Sequence, residues 1–91
     1  MERRKLSEQE IRSRLSEIPG WEYMDGHLKK EFKFADFGEA FAFMARSALA
    51  AEKLDHHPDW SNTYNRVFVR LMTHDAGGIT DFDFALAAKM G

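Results

Sequence analysis

Along the chain the apolar residues switch repeatedly between helical and strand spacing. Ser7 with Glu10 makes a capping box, and Leu6 with Ile11 stands at the two positions of a hydrophobic staple, so a helix is predicted to begin there. Ile11, Leu15 and Ile18 give it one apolar stripe, and Pro19-Gly20 ends it. Trp21 to Met24 and the alternating tract His27 to Phe34 then flank Asp25-Gly26, a pair suited to the left-handed backbone of a tight hairpin turn. Asp36 and Glu39 repeat the capping signature, and Phe37, Phe41, Met44 and Ala48 recur at helical spacing through an alanine-rich segment. This is predicted to be the longest helix, running toward Leu54, with Phe32, Phe34, Phe37 and Phe41 assigned to the core. Phe43 falls on roughly the opposite side from Phe41, near Glu39 and Arg46, so it is expected to be exposed or to meet a second subunit.

After Pro58, the stretch Trp60 to Thr73 is rich in aromatic and β-branched residues, with Val67, Val69, Leu71 and Thr73 on one face. It reads as a second β-pair or one long bent strand. Asp75-Ala76-Gly77-Gly78 interrupts it. Thr80 with Asp83 at the third helical position, and the staple pair Ile79 and Phe84, start a final helix through Met90. The predicted order is αββαββα. It implies an α+β, two-layer architecture, a four-stranded antiparallel sheet with helices on one face, folded as one domain over residues 1–91.

Composition narrows the partners. Thirteen Lys and Arg against fifteen Asp and Glu leave a formal charge of -2, which gives no electrostatic footprint for nucleic acid or an anionic membrane surface, so a small-molecule ligand is expected. The absence of cysteine rules out a disulfide framework and thiolate chemistry and suits a reducing compartment, for which the cytoplasm is the expectation. The charged start Met1 to Lys5 leads into a polar segment rather than the apolar stretch of a signal peptide, and no apolar run is long enough to span a bilayer. At 91 residues the core is modest, and an oligomer interface could add useful burial.

Three of the four histidines fall in two short polar strings, Asp55-His56-His57-Pro58-Asp59-Trp60 and Thr73-His74-Asp75-Ala76-Gly77-Gly78. Adjacent side chains on an extended backbone point in different directions, so His56 and His57 are expected to do different jobs. Pro58 biases His57 away from helical geometry, and Trp60 offers a flat face for a planar heterocycle. His74 sits at a strand end before a Gly-Gly turn. If the strings meet at one end of the sheet, three imidazoles with the carboxylates of Glu52, Asp55 and Asp75 form a general acid and base set for adding or removing water. Glu52, Asp55 and Asp59 also read simply as solvated groups near a helix end. His27, just after a hairpin turn and without a polar partner nearby in sequence, reads as structural. A metal site is disfavoured, because no repeated i, i+4 ligand pair is present and adjacent histidines seldom converge on one ion.

Taken together, Glu52-Lys53, the His56-His57-Pro58 triplet with Trp60, the Tyr64 and Val67 spacing, and Thr73 through Thr80 resemble the pterin-4a-carbinolamine dehydratases. The element order, chain length and capped first helix resemble that family across the whole chain. The resemblance implies a hydro-lyase that removes water from 4a-hydroxytetrahydrobiopterin to give the quinonoid dihydropterin, in tetrahydrobiopterin recycling, with no metal and no cofactor. By motif position His56 and His74 look like the acid and base pair, and His57 like the substrate-orienting histidine. Pro58, Trp60 and Thr73 look like pocket walls. Glu52 and Asp55 look like groups that orient the imidazoles, and Asp83 matches a supporting acidic position. Asp75 stands where many relatives carry Glu. The family also implies a homo-oligomer, dimer or tetramer, built through sheet edges and packing of the long helix. The alternatives are a non-catalytic protein-binding module, such as a dimerisation cofactor of a transcription factor, or action on another pterin.

Overall fold

Ser7 starts the first helix as predicted: its hydroxyl accepts the Glu10 N–H at 3.1 Å while the Glu10 carboxylate accepts the Ser7 N–H at 2.8 Å. The computed structural model describes residues 1–91, and in it this helix, α1, spans Glu8–Arg14. A single 3-10 turn, Leu15–Glu17, tightens its end before Pro19-Gly20. Ile11 and Ile18 are buried and Leu15 packs at the fringe of the core, which is the stripe the spacing predicts.

Strands β1 (Glu22–Met24) and β2 (His27–Lys33) form the first hairpin. Asp25 (φ 55°) and Gly26 (φ 76°) both occupy the left-handed region, which the strand twist demands of a two-residue turn. Helix α2 spans Phe37–Leu54, capped by the Asp36 side chain. Beyond it, β3 (Asp59–Thr63) and β4 (Arg66–Leu71) resolve the open reading of the sequence as a second hairpin, reversing at Tyr64 (φ 50°). Helix α3, Asp81–Met90, closes the order αββαββα. All four strands are antiparallel, in the order β1-β2-β4-β3, with Leu28 opposite Leu71 and Phe32 opposite Val67. Leu28, Val67, Val69 and Leu71 share the buried face and join Ile11, Phe43, Phe84 and Leu86 in a single cluster of 16 buried apolar residues. The helices cover that face, and the fold is α+β.

The phase of α2 differs from the sequence reading. Its buried residues are Ala40, Phe43, Ser47 and Ala51, whereas Phe37 and Phe41 are 49% and 59% exposed. Phe43 is therefore neither exposed nor free for a second subunit. Its ring lies 4.4 Å from that of Phe32 and 5.1 Å from that of Phe34. The small side chains of Ala40, Ser47 and Ala51 let the helix backbone sit close to the layer beneath, and Phe43 is the one large group of that face, packed against Phe32 of β2 and Phe34 just beyond it. The stripe of larger residues has the same helical period, so period alone did not fix which stripe turns inward. Phe32 and Phe34 do pack against the core as expected.

Candidate active site

Two backbone reversals assemble the site. At the C-terminus of α2, Asp55 adopts a left-handed conformation (φ 50°) and its N–H bonds back to the carbonyls of Ala51 and Glu52. The His56 N–H follows to the Ala51 carbonyl at 3.0 Å, so the chain turns sharply, His56 goes inward and His57 stays outside. At the other string, β4 runs on through Met72 to Thr73, which forms a bridge with Gly78. The intervening residues close as one 3-10 turn, His74–Ala76, ended by Gly77 at φ 73°.

These turns bring His56, His57, Thr73 and His74 around one cleft of about 420 Å³. Asp55, Met72 and Asp75 complete its wall, with Arg3 at the rim. The volume is that of a small-molecule site.

His56 is 7% exposed, and its Nε2 lies 2.5 Å from Asp83 Oδ1, a residue with no exposed surface. The other carboxylate oxygen, Oδ2, accepts the Thr80 N–H at 2.9 Å and the Thr73 hydroxyl at 2.8 Å. Because the Thr73 proton goes to Asp83, the Thr80 hydroxyl donates to Thr73 Oγ1, also at 2.8 Å. With two donors already fixed on the carboxylate, His56 is best satisfied as the third, Nε2–H to Oδ1, which leaves Nδ1 as the nitrogen able to take up a proton. The Phe82 ring lies 5.9 Å from the His56 ring, and the Arg3 guanidinium stacks 4.1 Å above Phe82 while donating to the Asp55 carbonyl at 2.7 Å.

His57 is paired with Glu52, Nε2 to Oε1 at 2.9 Å, with both side chains largely in solvent. Such a pair contributes about 1 kcal/mol or less to stability, so its effect is to orient the ring. His74 and Asp75 are exposed on the cleft wall. Glu52 reaches the site only through His57, and Asp55 lines the cleft with its carbonyl accepting from Arg3. Pro58 and Trp60 do not line the cleft of this chain. Trp60 sits opposite Val69 and packs against the core cluster. No three His, Asp or Glu side chains gather closely enough to hold a metal ion. Asp59, on β3, bonds Arg70 at 2.6 Å, and that guanidinium holds its carboxyl below the usual carboxylate range against a small desolvation cost, with His27 and His74 adding weakly. His27 does have a partner, the Asp25 carbonyl 2.8 Å from its Nδ1.

Sequence reasoning missed Arg3, Met72 and Phe82, and read Thr80 only as a helix cap. Met72 continues the alternation of β4 on the face opposite Leu71 and Thr73, a signal that was available. Nothing local marks Arg3 or Phe82, whose roles arise from packing between the chain ends and the long helix.

A buried imidazole held by a carboxylate, with two more imidazoles lining the same cleft, is an arrangement able to give and take protons, and on this α+β frame it fits an acid–base enzyme. The family model described as pterin 4 alpha carbinolamine dehydratase matches residues 4–91. The chain belongs to the pterin-4a-carbinolamine dehydratase family, as the motifs suggested. It is 58% identical over 92 residues to a protein of Mesorhizobium japonicum provisionally named pterin-4-alpha-carbinolamine dehydratase, covering 99% of this chain and 94% of that one. A protein of Solibacter usitatus with the same provisional name is 57% identical over 86 residues, covering 94% of this chain and 90% of the relative. The crystal structure of a transcriptional coactivator/pterin dehydratase from Brucella melitensis superposes with a TM-score of 0.91 at 49% identity, covering 94% of each chain.

Proposed function

We propose that the protein is a hydro-lyase that dehydrates 4a-hydroxytetrahydropterins, 4a-hydroxytetrahydrobiopterin among them, to the quinonoid dihydropterins, as in tetrahydrobiopterin recycling. The observation that carries this reading is the His56–Asp83 couple at the floor of the cleft that His57 and His74 also line. In the reaction the C4a–O bond breaks, the departing hydroxyl takes a proton and leaves as water, and N5 gives up its proton as the ring double bond forms. Each transfer needs an imidazole at the right atom, and the cleft offers two from opposite strings: His56, oriented from behind by Asp83, and His74, exposed on the wall. His57, oriented by Glu52, binds and orients the ring, with the Thr73 side and Asp75 as neighbouring wall. Pro58 and Trp60 act through the start of β3, which sets where His57 stands.

The experiment is a stopped assay on freshly generated 4a-hydroxytetrahydropterin followed by ultraviolet absorbance. Acceleration over the spontaneous rate supports the enzyme, and binding without acceleration identifies a binding module instead.

The protein acts as a homo-oligomer in the cytoplasm. Phe37 and Phe41, with ring centroids 6.1 Å apart, together with Leu49 leave an apolar stretch on the outer side of α2, and β3 is an edge strand with a free pairing side. Both suit association with further copies of the chain. No helix is long and apolar enough to cross a membrane.

A further inference from the structure

Beside the catalytic cleft lies a second groove of about 290 Å³ that the proton-transfer residues do not use. Leu6, Ile11, Tyr23 and Ile79 give it an apolar part, and Lys5, Asp25 and His27 line it as well. Met72 lines both this groove and the catalytic cleft, so a single flexible side chain is common to the two. We propose that this groove receives the substituent at C6 of the pterin and that His27 reads it; the assignment rests on the dehydratase reading above.

The connectivity of the substrate gives the direction. C6 is bonded to N5, the atom that loses its proton, so a C6 substituent begins one bond from the chemistry and reaches the edge of the cleft. At Met72 the wall has apolar space behind it. His27 stands next to that wall: it precedes Leu28, which pairs with Leu71, so the next rung of the same register puts His27 alongside Met72.

The tautomer of His27 is fixed by its partner. Its Nδ1 lies 2.8 Å from the Asp25 carbonyl oxygen, which can only accept, so Nδ1 carries the hydrogen. In the neutral ring Nε2 then holds a lone pair and accepts from a hydroxyl. On the opposite rim, a Cβ at Gly78 would meet Lys5 Cε at 3.0 Å, so the absence of a side chain there lets the Lys5 stem lie flat as a wall. An apolar part beside the oriented acceptor of His27, with the Asp25 carboxylate occupied by Lys29 and with Lys5 able to donate, matches a short hydroxylated alkyl chain.

The test compares carbinolamines generated from 6-methyltetrahydropterin and from a tetrahydropterin carrying a 1,2-dihydroxypropyl group at C6. In the wild-type protein the dihydroxypropyl substrate is expected to have the lower KM. His27→Leu is expected to raise that KM about tenfold, the scale of one hydrogen bond, with kcat and the 6-methyl substrate unchanged. His27→Gln, which restores an acceptor, is expected to recover part of the loss. Equal wild-type KM values for the two substrates, or an equal effect of His27→Leu on both, would overturn the subsite while leaving the dehydratase reading intact. Failure of the wild type to turn over either substrate would overturn both.

Discussion

His56 and Asp83 are separated by 27 residues along the chain, yet their side chains meet at 2.5 Å in the interior, one delivered by the end of α2 and the other by the start of α3. The carboxylate serves three donors at once. Asp83→Ala would strand the Thr80 amide, the Thr73 hydroxyl and the His56 ring, at a cost of about 3 kcal/mol, measurable by denaturant unfolding. Asp83→Asn keeps the shape but not the charge, and is expected to lower kcat about 100-fold with KM little changed. A fully active Asp83→Asn protein would show that the carboxylate only supports the fold.

If His56 and His74 transfer the two protons as proposed, His56→Ala and His74→Ala are each expected to reduce the catalysed dehydration rate by about 100-fold or more. His57→Ala, which removes an orienting group, is expected to act mainly on KM. The ultraviolet assay at saturating and limiting substrate separates the two patterns, and full activity in both the His56 and His74 variants would end the assignment.

Glu10 gives a pH dependence with a defined sign. Its bonds to the Arg4 guanidinium, and then to the Ser7 amide, bring its carboxyl down from 4.5 to about 2. A depressed folded-state value means that its stabilisation is fully present above pH 4.5 and is lost as pH falls toward 2. Unfolding free energy should therefore decline less between those limits in Glu10→Gln than in the wild type. Parallel declines in acid titrations followed by circular dichroism would contradict this.

The two faces of α2 make opposite predictions. Phe43→Ala should cost about 3–4 kcal/mol, since it removes the buried ring packed against Phe32 and Phe34. Phe41→Ala, on the exposed side, should change the stability of a single chain by less than about 0.5 kcal/mol. If α2 packs against further copies, Phe41→Asp should reduce the sedimentation coefficient of the assembly, and an unchanged value would remove α2 from the interface.

Local chemistry made much of the fold readable. The capping boxes at Ser7 and Thr80, the Asp25-Gly26 turn and the alternation of Val67, Val69, Leu71 and Thr73 are each complete within a few residues, and each occurs in the structure. The buried face of α2 is not legible locally, because Ala40, Ser47 and Ala51 carry no strong hydrophobic signal while the large phenylalanines at 37 and 41 point outward. Within the site, the motif strings supplied His56, His57 and His74 as candidates. The bond from His56 to Asp83 and the stacking of Arg3 on Phe82 depend on where three helices end in space, which no short spacing encodes.

The carboxylate of Asp83 both begins a helix and steadies an imidazole. Loosening of α3 would thus withdraw the anchor of His56, and because Phe84, Leu86, Ala87 and Met90 lie in the core it would also open the packing beneath α2. Turnover is thereby tied to the docking of the C-terminal segment: a truncation or a partner that peels it away would silence the site along with loosening the core. For the same reason, reinforcing this terminus offers a route to a longer working lifetime without any alteration at the mouth of the cleft.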